Sequence, residues 1–103
     1  VEQCFGDLAD ADAVGKAVEG CDIVLHVAAK AGLWGRRRDF FDTNLVGTKN
    51  VVAACKKHGV RKLVYTSTPS VVQGYDDVEN ADESLPYPKR FYAMYPESKA
   101  AAE

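Results

Sequence analysis

Tyr95 and Lys99 stand four residues apart in the stretch YPESK, residues 95–99. On a helix that spacing puts both side chains on one face, and the pair suits proton transfer. A phenol titrating near 10 is a poor base at neutral pH, but an adjacent ammonium favours the phenolate and brings it into range. Taken alone the pattern is weak. Five Tyr and eight Lys in 103 residues produce about 0.4 such spacings by chance. Tyr92 is a poorer candidate, because Pro96 and not a lysine lies four residues beyond it.

The elements that would position this pair are legible from periodicity. VEQCFGDL reads as a short strand ending at Gly6-Asp7. ADADAVGKAVEG reads as a helix capped by Asp10 or Asp12, with Val14, Ala17 and Val18 on one face and Gly20 as its stop. Ile23, Val24, Leu25 and Val27 form a nearly continuous apolar run, the pattern of a parallel strand covered on both faces. A second helix spans about residues 40–58, with Phe41, Leu45, Thr48, Val52 and Cys55 at helical spacing and positive charge at its end, ahead of Gly59. VRKLVYTST is a further strand, residues 69–90 are irregular, and a third helix opens near Tyr95. The order β-α-β-α-β-loop-α implies right-handed crossovers and a parallel sheet.

Composition narrows the class. Hydrophobic residues at 47% and charged residues at 27% describe a globular chain. A net charge of -2 points to neither nucleic acid nor an anionic membrane surface. The only basic cluster, Arg36-Arg37-Arg38, suits either a solvated segment or an anion contact. Cys4, Cys21 and Cys55 are odd in number and lack CxxC spacing, which reads as reduced, mostly buried thiols of a cytoplasmic protein. His26 and His58 have no partners at ligand spacing, so no metal site is expected. No apolar stretch is long enough for a membrane span.

In open parallel α/β sheets ligands bind beyond the C-terminal ends of the strands. Those ends here are Gly6-Asp7, Val27-Ala28-Ala29 and Ser67-Thr68, each followed by small or polar residues that allow close approach of a flat ligand. Asp7 could accept hydrogen bonds from a base, or cap the helix that follows. GDL, HVAAKAG, DTNLVGTKNVVAAC, KLVYTSTPSVV and YPESKAAAE, in this order and spacing, resemble the extended short-chain dehydrogenases/reductases. The branch they resemble is that of the 3β-hydroxysteroid dehydrogenase/isomerases. HVAAKAGLWG, YTSTPSVV and DESLPYP are most similar to bacterial sterol dehydrogenases and 2-alkyl-3-oxoalkanoate reductases.

The resemblance implies roles. Tyr95 matches the catalytic tyrosine and Lys99 its partner. Thr68, or Ser67 beside it, matches the hydroxyl that holds the substrate oxygen where charge develops. Asn44 matches the asparagine that completes the tetrad. Asp7 and Leu8 match the pair flanking adenine, and Val27, Ala28 and Ala29 the segment lying against the cofactor, NAD or NADP. It further implies hydride transfer to or from a small apolar alcohol or ketone, and a homodimer for the full-length protein. Read without the resemblance, Thr68 could be an ordinary strand-end hydroxyl, Asn44 a helix-stabilising residue, and Gly47 a site of helix packing or of ligand clearance. Alternative functions are a nucleotide-sugar epimerase or dehydratase, disfavoured by SVVQGYDD in place of a VYG pattern, and a non-catalytic dinucleotide-binding protein.

Neither GxGxxG nor GxxGxxG occurs, so the phosphate loop and the residues that separate NAD from NADP are expected upstream of Val1. Residues 1–103 then read as the central fragment of a doubly wound Rossmann domain. They would supply strands 3, 4 and 5 of the order 3-2-1-4-5-6 and lack the first two and the last. Strand 3 would lie without its neighbours, and the isolated chain is expected to be inactive.

Overall fold

The computed structural model describes residues 1–103. Helix α1 spans Ala11–Val18, and the Asp10 carboxylate accepts from the backbone N–H groups of Asp12 and Ala13 at 3.0 and 3.2 Å. Asp10 is thus the cap, satisfying two donors that a helix start leaves without partners. Val14 and Val18 form its buried face, and Gly20, at φ +80°, turns the chain out of it.

Strand β1, Ile23–His26, pairs in parallel with β2, Lys62–Tyr65, in the register Ile23↔Lys62 through His26↔Tyr65. Between them runs a long helical rod. It begins as α2, Arg37–Phe41, widens into a π segment, Asp42–Val46, and continues as α3, Gly47–Lys57. A single 3-10 turn, Pro69–Val71, interrupts the irregular chain that leads to α4, Met94–Ala102.

The core lies where α1 and α3 cover one face of the strands. Val14, Val18, Val51, Ala54 and Cys55 are buried together, with Leu8, Val24, Val60 and Leu63 packed against them. Gly47 makes this approach possible, since a Cβ there would lie 2.8 Å from the Leu8 Cβ. Of the two readings of Gly47, the structure supports packing, and the residue it packs on belongs to the Asp7-Leu8 segment.

The α/β class and the parallel pairing hold, but three expectations change. Residues 1–7 form no strand. A strand exists through its ladder, and the one pair this chain makes is β1 with β2. The β1 run is covered on one face only. Val24 and His26 face the helices, whereas Ile23, Leu25 and, on β2, Val64 stay at least half exposed. Lastly, Cys55 is buried as expected, but Cys4 and Cys21 are exposed, because both lie in connections outside the α1–α3 contact. No helix is long and apolar enough to cross a membrane, and no cluster of three or more His, Cys, Asp or Glu is placed to hold a metal ion.

Candidate active site

Parallel pairing brings the C-terminal ends of β1 and β2 to the same edge of the sheet. Val27, Ala28 and Ala29 leave β1 there and are exposed, and Thr66, Ser67 and Thr68 leave β2. Helix α4 crosses behind the second exit. Its Lys99 is 3% exposed and spans back to the sheet, where Nζ donates to the Thr66 carbonyl oxygen at 2.6 Å and sits 4.2 Å above the centre of the Tyr65 ring. Burial lowers the Lys99 pKa from its ordinary value, against an opposing pull from Glu103. Burial pushes the Tyr65 phenol up to about 12, with Glu103, Tyr95 and Tyr87 adding to the rise. Tyr65 therefore stays neutral under Lys99 and offers a ring face, not a counter-ion. Tyr95, one turn before Lys99, is half-buried on the same helix.

Asn44 is the most connected polar group of the site. It is 2% exposed and sits in the middle of the π segment. Its Oδ1 accepts from the Lys30 N–H at 2.8 Å, and its Nδ2 donates to the Lys30 carbonyl at 3.0 Å and to Ser98 Oγ at 2.8 Å. Ser98 Oγ in turn donates to the Tyr95 carbonyl at 2.9 Å. One amide thus ties the loop leaving β1 to the helix that carries Tyr95 and Lys99. Two residues in this chain of bonds, Lys30 and Ser98, were not legible. Ser98 lies within YPESK, but only the fold brings it to Asn44, 54 positions away.

Thr68 caps the 3-10 turn, its Oγ1 accepting from the Ser70 N–H at 3.4 Å and donating to Ser70 Oγ at 3.3 Å. Ser67 is exposed and donates to the Glu103 carboxylate, as does the Tyr87 hydroxyl. Beyond both hydroxyls lies an open cavity of about 920 Å³, walled by the irregular segment through Val72, Val78, Leu85 and Tyr87. Asp7 does not cap α1, whose cap is Asp10. The Asp7 Oδ1 accepts from the Ala9 N–H at 2.9 Å, and the residue stays exposed. Leu8 packs on Gly47, and its carbonyl accepts from Asn50 Nδ2 at 2.8 Å.

All three residues of the arginine run are exposed, and two of them pair with carboxylates. Arg37 forms two hydrogen bonds with the Glu97 carboxylate, at 2.6 and 2.7 Å, which dock α2 on the first turn of α4. Arg38 pairs with Asp42 at 3.3 Å.

His26 makes stability depend on pH. Burial and the nearby Lys99 charge lower its pKa below the ordinary 6.5. The unfolded chain therefore binds the proton more readily than the folded one, so stability falls as pH drops below about 6.5 toward the folded value. The urea midpoint of the parent should drop between about pH 7.5 and pH 5.5, and the drop should be smaller in His26→Gln. Equal drops in the two proteins would remove His26 as the cause.

The sequence profile of the 3-beta hydroxysteroid dehydrogenase/isomerase family matches residues 1–103. The chain is 52% identical over 98 residues to the 2-alkyl-3-oxoalkanoate reductase of Shewanella oneidensis, covering 95% of this chain and 25% of that protein. It is 41% identical over 110 residues to the 3 beta-hydroxysteroid dehydrogenase/Delta 5-->4-isomerase of Mycobacterium tuberculosis, covering all of this chain and 30% of that one. Among solved structures it superposes on the dTDP-glucose 4,6-dehydratase of Streptomyces venezuelae, determined with NAD and TYD bound. That match has a TM-score of 0.83 and 29% identity, and it covers 94% of this chain and 30% of the other. The chain thus spans about a quarter to a third of the length of these relatives.

Proposed function

The chain belongs to the 3-beta hydroxysteroid dehydrogenase/isomerase family, and from that premise we propose that residues 1–103 are the central part of an NAD(P)-binding domain of an oxidoreductase. Its reaction moves hydride between a nicotinamide cofactor and a secondary alcohol or ketone of an apolar substrate. The observation that carries this reading is the joining of the two strand exits to α4. Asn44 holds the first exit to Ser98, and Lys99 holds the second through Thr66.

The residues present fit part of a dinucleotide. The exposed Val27, Ala28 and Ala29 let the ligand approach the backbone, and Asp7 is an exposed acceptor. Phosphate binding would need other residues, since no Gly-rich phosphate loop occurs here. The bound nicotinamide would supply or accept the hydride. The chain's own groups do the rest. Tyr95, as its phenolate, takes the alcohol proton in oxidation, and as the phenol it gives that proton back in reduction. Lys99 places a fixed positive charge one turn away, and Thr68 or Ser67 donates to the substrate oxygen. Val71, Val72, Val78 and Leu85 give the adjacent cavity an apolar side that suits the body of a sterol or of a long-chain 3-oxo acid, while Asp82, Glu83 and Glu103 line it as well.

The likeness to the dehydratase favours one second reading, a nucleotide-sugar epimerase or dehydratase. The test is to follow nicotinamide absorbance of the full-length protein, with NAD and NADP in turn, against sterols, 3-oxo acids and nucleotide sugars. Turnover of the apolar alcohols or ketones is expected. Conversion of nucleotide sugars alone would assign the second reading, and dinucleotide binding with no conversion would assign a non-catalytic role.

A further inference from the structure

We propose that His26 and Thr48 are positioning residues for this site, linked in a buried hydrogen-bond relay that ends on the backbone of Asn44. The proposal rests on the oxidoreductase reading above. His26 and Thr48 are 5% and 6% exposed, and neither belongs to the groups that face a substrate or cofactor. His26 Nε2 lies 2.9 Å from Thr48 Oγ1, and Thr48 Oγ1 lies 2.7 Å from the Asn44 carbonyl oxygen.

The direction of the relay follows from counting protons. A carbonyl oxygen only accepts, so the single Thr48 hydroxyl proton goes to Asn44. The His26–Thr48 contact then requires the imidazole to donate. This assigns His26 as a neutral ring with its proton on Nε2, in keeping with its burial and with the positive Lys99 nearby.

Two consequences converge on the site. A threonine hydroxyl bonded to the carbonyl four residues back bends a helix, and here that bond bridges the junction of the π segment with α3. The π turn is what places the Asn44 amide against Lys30 and Ser98. On its other side the His26 ring lies 5.6 Å from the Tyr65 ring at 47°, and Tyr65 is the shelf on which the Lys99 ammonium rests. His26 thus backs both the asparagine and the lysine without touching the reacting atoms.

The test uses the full-length protein with Thr48→Val, which keeps the shape and removes the hydroxyl, and Thr48→Ser, which restores it. Thr48→Val should lower kcat about tenfold with little change in KM, and Thr48→Ser should recover to within about twofold. Nitrogen-15 NMR of the histidine rings should show His26 as the Nε2-protonated tautomer in the parent and in Thr48→Ser, and a mixture in Thr48→Val. A parent-like kcat in Thr48→Val, or the Nδ1-protonated tautomer in the parent, would overturn the relay. If Thr48→Val does not fold, the tautomer of the parent decides. If the parent converts no alcohol or ketone with either nicotinamide cofactor, the oxidoreductase reading fails while the tautomer still reports on the relay. If Tyr95→Phe is inactive and Thr48→Val is unslowed, the relay alone fails.

Discussion

Tyr95→Phe in the full-length protein is expected to lower kcat by about 10³, within the range that a positioned general acid–base supplies. The substitution removes one oxygen and leaves the half-buried ring in place on α4. Ser98 still donates to the residue 95 carbonyl, so the first turn of the helix keeps its anchor. KM should therefore change by less than about threefold, the signature of an interaction made only in the transition state. Steady-state kinetics in both directions check this. A variant that turns over within about threefold of the parent would end the assignment of Tyr95 as the proton-transfer residue, whatever the substrate proves to be.

Asn44→Ala is expected to lower the free energy of unfolding by about 2–4 kcal/mol. Removing the amide strips the Lys30 N–H and carbonyl of their partner and takes one bond from Ser98. Each buried polar group left unpaired costs about 1–3 kcal/mol. Water can reach Lys30, which is half-buried, so the cost stays below the sum of three full penalties. Asn44→Asp should be at least as damaging, because it keeps the acceptor for Lys30 N–H but sets a carboxylate oxygen against the Lys30 carbonyl. Urea titration of the parent and both variants measures the effect. Activity should fall further than stability alone accounts for, since the loop after β1 and the helix bearing Tyr95 and Lys99 would lose their shared tie. A change below about 0.5 kcal/mol in Asn44→Ala would mean that the three bonds contribute nothing net.

Legibility differed from residue to residue. A helical repeat of apolar residues marks α1 and the long rod through α3 within a few residues, because one buried face imposes it, and a continuous apolar run marks β1. The helix stops at Gly20 and Gly59 were equally plain, since both take positive φ. The π segment was not legible. Its residues Asp42–Val46 carry no composition that separates a π turn from an α turn, and the difference lies in which backbone groups pair. VEQCFGDL has strand-like residues, but residues 1–7 pair with no other segment of this chain, and a strand exists only through its ladder.

The same division runs through the site. Tyr95 and Lys99 stand out as a pair in the sequence because their relation is local, four residues on one helix, and local spacing is what a sequence encodes directly. The strand exits at residues 27–29 and 66–68 follow from the alternation of elements and the parallel rule. What only the tertiary structure decided is how these parts are held. Lys99 reaches back to Thr66 and rests on Tyr65, Asn44 joins Lys30 to Ser98, and His26 meets Thr48 across 22 positions. Each of these contacts spans elements whose separation in the chain is arbitrary. Hydrogen bonds depend on distance and angle to within tenths of an ångström, and no periodicity in the sequence specifies that. The chain's order of residues determines which chemistry is available; packing of α1, α3 and α4 on the two strands determines which groups share it.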